Sequence, residues 1–164
     1  MHAALAASTC LRELNVARNA LGDGGVAALA AALPASLTTL DVRETDMAEA
    51  GAHALMEALS GNATLTTLHV ARNPLGAGGA AALAAGLRRC VGVTTLDLTG
   101  VALGAAGAAA VGAAVATMPQ LTALTLNECA IDAVRYRGIS RRSISFSGCF
   151  EKPVAFSMSV RPLG

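Results

Sequence analysis

Aromatic side chains are nearly missing from this 164-residue chain, which has no tryptophan, one tyrosine and three phenylalanines. All four, Tyr136, Phe146, Phe150 and Phe156, lie beyond residue 135. Charge is also sparse: 14% of residues are charged, and 12 Lys+Arg against 11 Asp+Glu leave a net +1. That balance excludes a basic nucleic-acid groove as the default expectation. Four cysteines are present, Cys10, Cys90, Cys129 and Cys149, and no pair has C-x-x-C spacing. A zinc site or a thioredoxin-type motif is therefore unsupported. The even count permits two disulfides, but nothing else in the chain suggests secretion. The first ten residues lack Lys and Arg, and their apolar stretch is too short for a signal peptide. Leu98 to Met118 carries no charge and approaches the length of a membrane span. It is built of Ala, Gly, Thr and Val, however, and it keeps the phase of the charged segments. No membrane association is expected.

What the chain does have is alanine, 38 residues of it, with 17 glycines. Alanine buries little area, so the core must rest on a few well-placed Leu and Val side chains. Their placement is periodic. Thr-Thr-Leu recurs at 38–40, 66–68 and 94–96, and Thr122-Ala123-Leu124 follows in step. Units open at Leu11, Leu37, Leu65, Val93 and Leu121, at spacings of 26, 28, 28 and 28. Each is apolar at its positions 1, 4, 6 and 11. Glycine stands at position 15 of the first four units (Gly25, Gly51, Gly79, Gly107), and apolar residues follow at four-residue steps. The pattern reads as a short strand, a turn and an Ala-rich helix, with the Gly letting the helix start approach the strand beneath it.

The segment Leu11-Arg12-Glu13-Leu14-Asn15-Val16-Ala17-Arg18-Asn19-Ala20-Leu21-Gly22 closely resembles the ribonuclease-inhibitor type of leucine-rich repeat. The resemblance covers residues 1–132. It implies an α/β solenoid, a horseshoe with a parallel concave sheet of about five strands and four to five outer helices. Stacking is required because no single unit buries its own apolar face. In such repeats the Asn at position 9 bonds turn backbone. Here that position holds Asn19 and Asn73, but Thr45, Val101 and Cys129 in the other units. The alternation is compatible with the family's two repeat types or with plain drift. Leu5 stands six residues before Leu11, as Leu59 does before Leu65, so residues 3–8 read as the end of a preceding helix. On this reading the chain is a monomer or part of a longer array.

Residues 133–164 break the pattern. The segment from Asp132 onward is basic, with six Lys+Arg and two Asp+Glu. Alternation around Ile144/Phe146 and Val154/Phe156/Met158/Val160 suggests a hairpin. A divergent cap, a shifted reading frame and a tail for an acidic ligand all fit this composition.

The strands should present positions 2, 3, 5, 7 and 8 to the concave side. Candidate partner-binding residues are Arg18, Asp41, Arg43, Glu44, His69, Arg72, Asp97, Asn127 and Glu128. Strand spacing of about 4.8 Å puts His69 between Asp41 and Asp97, where two carboxylates favour the imidazolium. Arg18 and Glu44 become neighbours, as do Glu44 and Arg72. An Asp–His–Asp column suggests catalysis or a metal only superficially. No Ser or Cys nucleophile occupies the concave positions, and each strand offers one ligand at most. The Gly-rich stretches at 22–25 and 76–79 lack the Lys-Ser/Thr of a phosphate loop and read as strand-to-helix turns. The Thr38, Thr66, Thr94 and Thr122 row reads as β-propensity. Charges satisfying one another on a solvated face would suffice for any single residue. The face as a whole suits a protein partner, so the expectation is a non-catalytic, cytoplasmic interaction module without cofactor or metal. Ran GTPase-activating proteins have similar repeats, which makes a small-GTPase regulator the alternative, with Arg18 and Arg72 as candidate cations. A sensing region of an NOD-like immune receptor is the third reading.

Overall fold

In the computed structural model, which describes residues 8–129 and the backbone of 143–145, the apolar 1-4-6 spacing becomes a row of three-residue strands. They are β1 (Glu13–Asn15), β2 (Thr39–Asp41), β3 (Thr67–His69), β4 (Thr95–Asp97), β5 (Ala123–Thr125) and β6 (Ser143–Ser145). All neighbours pair in parallel, in the order β1 to β6, within one open sheet. The register repeats the sequence phase: Leu14, Leu40, Leu68, Leu96 and Leu124 stand side by side. In the complete central units, residues at positions 1, 4 and 6 are buried, as at Leu65, Leu68 and Val70. The sixth strand, which pairs Leu124 with Ile144, adds to the expected five. The second strand of the expected hairpin, 154–160, lies outside the described residues.

Among the described residues four helices run between the strands: α1 (Gly22–Ala30), α2 (Glu49–Ala58), α3 (Gly76–Leu87) and α4 (Gly104–Val115). Each packs on the next along the array. Strands repeat at about 4.8 Å, whereas packed helices need about 8–10 Å. The sheet must therefore take the inner side of the curve. Small residues narrow the helices and limit the mismatch: Ala80, Ala84, Ala108 and Ala114 are buried. The uncharged run from Leu98 to Met118 is the end of one repeat turn plus α4. Among the described residues no helix is long and apolar enough to cross a membrane.

The position-15 glycines act differently from the expectation. A Cβ on Gly51 would meet Asp23 Oδ1 at 2.6 Å, and one on Gly107 would meet Ala80 Cβ at 2.8 Å. At Gly51 and Gly107 the close approach is thus to the preceding helix rather than to the strand below, while at Gly25 and Gly79 the nearest atom is the Cβ of Leu21 and Leu75 of the same unit, each at 2.9 Å. The Gly-rich stretches at 22–25 and 76–79 form the first turns of α1 and α3 themselves. Gly22, Gly76 and Gly104 start their helices at positive φ. Unit 2 has Ala48 there, extended instead, and Asp46 takes the left-handed turn two residues earlier.

Candidate functional site

The concave face is built from positions 3, 5, 7 and 8 of successive units. Position 5 folds back on its own strand: Ala17, Arg43 and Thr99 each donate a backbone N–H to Oδ1 of Asn15, Asp41 and Asp97, at 2.9, 3.1 and 3.0 Å. Asp41 is 5% exposed. Arg43 covers it with a fork, donating from Nε at 2.9 and 3.0 Å and from Nη2 at 2.6 Å. Burial pushes the Asp41 carboxyl up, but the Arg43 hydrogen bonds and charge outweigh it and hold the carboxyl below its ordinary value. The same bonds hold the Arg43 guanidinium more firmly protonated.

His69 pairs in register with Asp41 on one side and Asp97 on the other. Its Nδ1 lies 3.7 Å from Asp97 Oδ2 and is buried without a hydrogen-bond partner. Asp41 turns to Arg43, and Asp97 Oδ1 also accepts the Thr99 hydroxyl at 2.7 Å. Asp41 and Asp97 Oδ1 thus orient arginine and threonine, while Asp97 Oδ2 faces the imidazole without a hydrogen bond. Among the described residues no three His, Cys, Asp or Glu side chains gather as metal ligands.

Position 8 is the unusual one. Arg18, Glu44, Arg72 and Glu128 have φ of 61°, 53°, 55° and 57°, and Gly100 completes the column at 69°. Non-glycine residues are uncommon there, at a cost of order 1 kcal/mol each. Glu44 Oε1 lies 3.7 Å from Arg18 Nε and 3.4 Å from Arg72 Nη1, so the row is joined by charge. Arg72 lies over Gly100, where a Cβ would meet its Cγ at 2.9 Å. Around Arg18, Arg43, Glu44, Arg72 and Asp97 the face encloses a concavity of about 470 Å³. Asn127 and Glu128 stand on the fifth unit and do not line it.

The structure gives the position-9 alternation a physical cause. Asn73 is buried and serves two units. Its Nδ2 donates to Val70 O of its own turn at 2.9 Å and to Val42 O of the preceding one at 2.7 Å. Its Oδ1 accepts from Thr45 N and Met47 N, both at 3.0 Å. Thr45 needs only its hydroxyl, which reaches Val42 O at 2.9 Å. Cys129 reproduces only the donating half, its thiol reaching back to Leu98 O at 3.1 Å, and the Val101 and Leu103 N–H groups bond the backbone at Leu98 O and Val101 O, at 3.1 and 2.8 Å. Asn19 bonds its own turn through Val16 O and Ala17 O.

Two devices escaped sequence reasoning. Thr38, Thr66, Thr94 and Thr122 form a hydroxyl ladder, each donating to a main-chain carbonyl of the preceding unit at 2.9–3.2 Å. Asp23 Oδ1 accepts from Ala48 N and Gly51 N, each at 2.8 Å, and so caps α2 from the neighbouring unit. The threonines carried a signal, a polar residue recurring at the unit spacing, whereas the position of Asp23 holds Glu49, Ala77 and Ala105 in the next units and carried none.

A family model described as a Leucine Rich repeat matches residues 7–30 and 61–84. The chain carries leucine-rich repeats. No curated protein matches it in sequence. Among solved structures, the repeats are similar to one titled "Leiomodin-1 Actin-Binding Site 2 (ABS2)". That match has a TM-score of 0.63 at 18% identity and covers 70% of this chain and 69% of that one. It establishes a shared solenoid fold.

Proposed function

We propose that the chain is a non-catalytic protein-interaction module of the ribonuclease-inhibitor repeat type, which binds a protein partner on its concave face. The observation that carries this reading is the position-8 row. Glycine would fit those left-handed positions without strain, yet three successive units place Arg18, Glu44 and Arg72 there, joined by charge at the rim of a concavity. Strain retained at exposed charged residues points to use of that surface. Both arginines lie against Glu44 in a row of alternating charge, a pattern that suits recognition of a protein surface. The Cys90 and Cys129 thiols, each donating to a backbone carbonyl, fit a reducing compartment such as the cytoplasm.

A photo-crosslinking residue installed at Ala17 or Thr67 on the concave face tests this, with Ala81 or Ala109 on the helices as controls. The concave positions should join to protein in native extract and the helix positions should not. Equal yields from both faces would defeat the reading. Actin enters as the first purified partner to try, because the similar solved structure is an actin-binding site. The same protein added to a panel of small GTPases should leave their hydrolysis rates unchanged.

A further inference from the structure

The concavity holds more hydrogen-bond donors than acceptors. A guanidinium carries five N–H groups, and Arg18, Arg43 and Arg72 all line it. Arg43 gives Nε and Nη2 to Asp41, which leaves its Nη1. Arg72 donates from Nη1 to Glu44 at 3.4 Å, and Arg18 only approaches Glu44, at 3.7 Å. Fewer acceptors stay open. Both Asp41 oxygens accept from Arg43, Asp97 Oδ1 accepts twice from Thr99, and Arg72 donates to Glu44 Oε1, which leaves Glu44 Oε2 and Asp97 Oδ2. Among the described residues, the remaining guanidinium N–H groups have no protein acceptor.

We infer that this concavity is a seat for one carboxylate, brought by an acidic side chain of the protein partner, with Arg43 as anchor and Arg72 and Arg18 beside it. The inference rests on the concave-face reading above. Arg43 is oriented in advance, because the buried Asp41 holds its fork from behind and little rotamer freedom remains to be lost on binding. Its neighbours at the same position of the adjoining strands are Ala17 and Ala71, which leave space on either side of it. Ala71 is buried and gives that space an apolar floor, so a bond made there competes with less water. The charge pattern selects a monoanion. Glu44 and Asp97 stand at the same concavity and repel a phosphate dianion about twice as strongly as a single carboxylate.

The test is a titration of the whole chain, labelled with nitrogen-15, that reads the arginine Nε–Hε signals. The probes are acetyl-Ala-Glu-Ala-amide, its Gln counterpart and inorganic phosphate. The Glu peptide should shift Arg43 and Arg72 saturably, and the other two probes should bind at least tenfold more weakly. Arg72→Gln and Arg43→Lys should each weaken the Glu peptide, whereas Arg88→Gln, on an exposed residue at the end of α3, should not. Arg43→Lys leaves a cation beside Asp41, and an unchanged melting temperature shows that the fold is intact. Saturation by phosphate alone would overturn the carboxylate in favour of a phosphorylated partner. Equal binding of the Glu and Gln peptides, or no saturable shift, would overturn the seat itself. Crosslinking from Ala17 answers the concave-face reading separately, since a partner can bind there without filling this seat.

Discussion

Asn73 and Asn19 occupy the same position of the repeat, yet they should differ in weight. Asn73→Ala strands buried backbone groups of two units and should cost about 3 kcal/mol. Asn19 is exposed and bonds only its own turn, so Asn19→Ala should cost under about 1 kcal/mol. Urea melts of the two variants make the comparison. Asp41 gives a pH dependence. Its carboxyl is held below the ordinary value in the folded chain, so the pair with Arg43 stabilises fully above about pH 4 and fades as pH falls through the folded value. The advantage of wild type over Asp41→Asn should shrink on acidification, and an advantage that grew would contradict the pair. Burial pushes the Cys90 thiol up to about 11. With Cys10 and Cys149 replaced by Ser, Cys90 should resist iodoacetamide at neutral pH until the chain is unfolded.

At the scale of elements, one substitution should act with opposite signs on neighbouring helices. Gly24→Ala in α1 meets nothing within 4 Å and should stabilise by up to about 1 kcal/mol through helix propensity. Gly51→Ala in α2 drives a methyl into Asp23 Oδ1 and Met47, breaks the cap on α2 and should destabilise. Thermal melts of the two variants read the signs directly. The elements also show what a sequence can reveal. A fixed 28-residue phase dictates which strands pair and which side chains become neighbours, so the leucine stack and the Arg18–Glu44–Arg72 row follow from counting. The phase does not say which bond a polar atom chooses. Asp41 stands beside His69 by register, but Arg43 two residues along the same strand can cover both of its oxygens. The contacts at Gly51 and Gly107 are hidden for a similar reason, since a close approach to the preceding helix depends on helix spacing rather than on repeat phase.

Across the whole molecule, burial is uneven. Leu11, Leu14, Val16, Leu21, Leu29 and Leu33 of the first unit are only partly buried, whereas their counterparts in the third unit are at most 2% exposed. In an array whose units contact only their neighbours, local opening follows that gradient. Amide exchange in the β1 region should outpace that in β3 and β4, and uniform protection would show that the array opens as one body.

The shared asparagine also changes what counts as one unit. Remove residues 65–92 and the helices and strands could still close up in register, but Thr45 would face Val101 with no Asn73 to answer its backbone. Remove 37–92 instead and Asn19, Val101 and Cys129 keep the order of polar and bystander turns. The chain is written in steps of 28, but where Asn73 serves two turns the indivisible step is the pair of units 37–64 and 65–92.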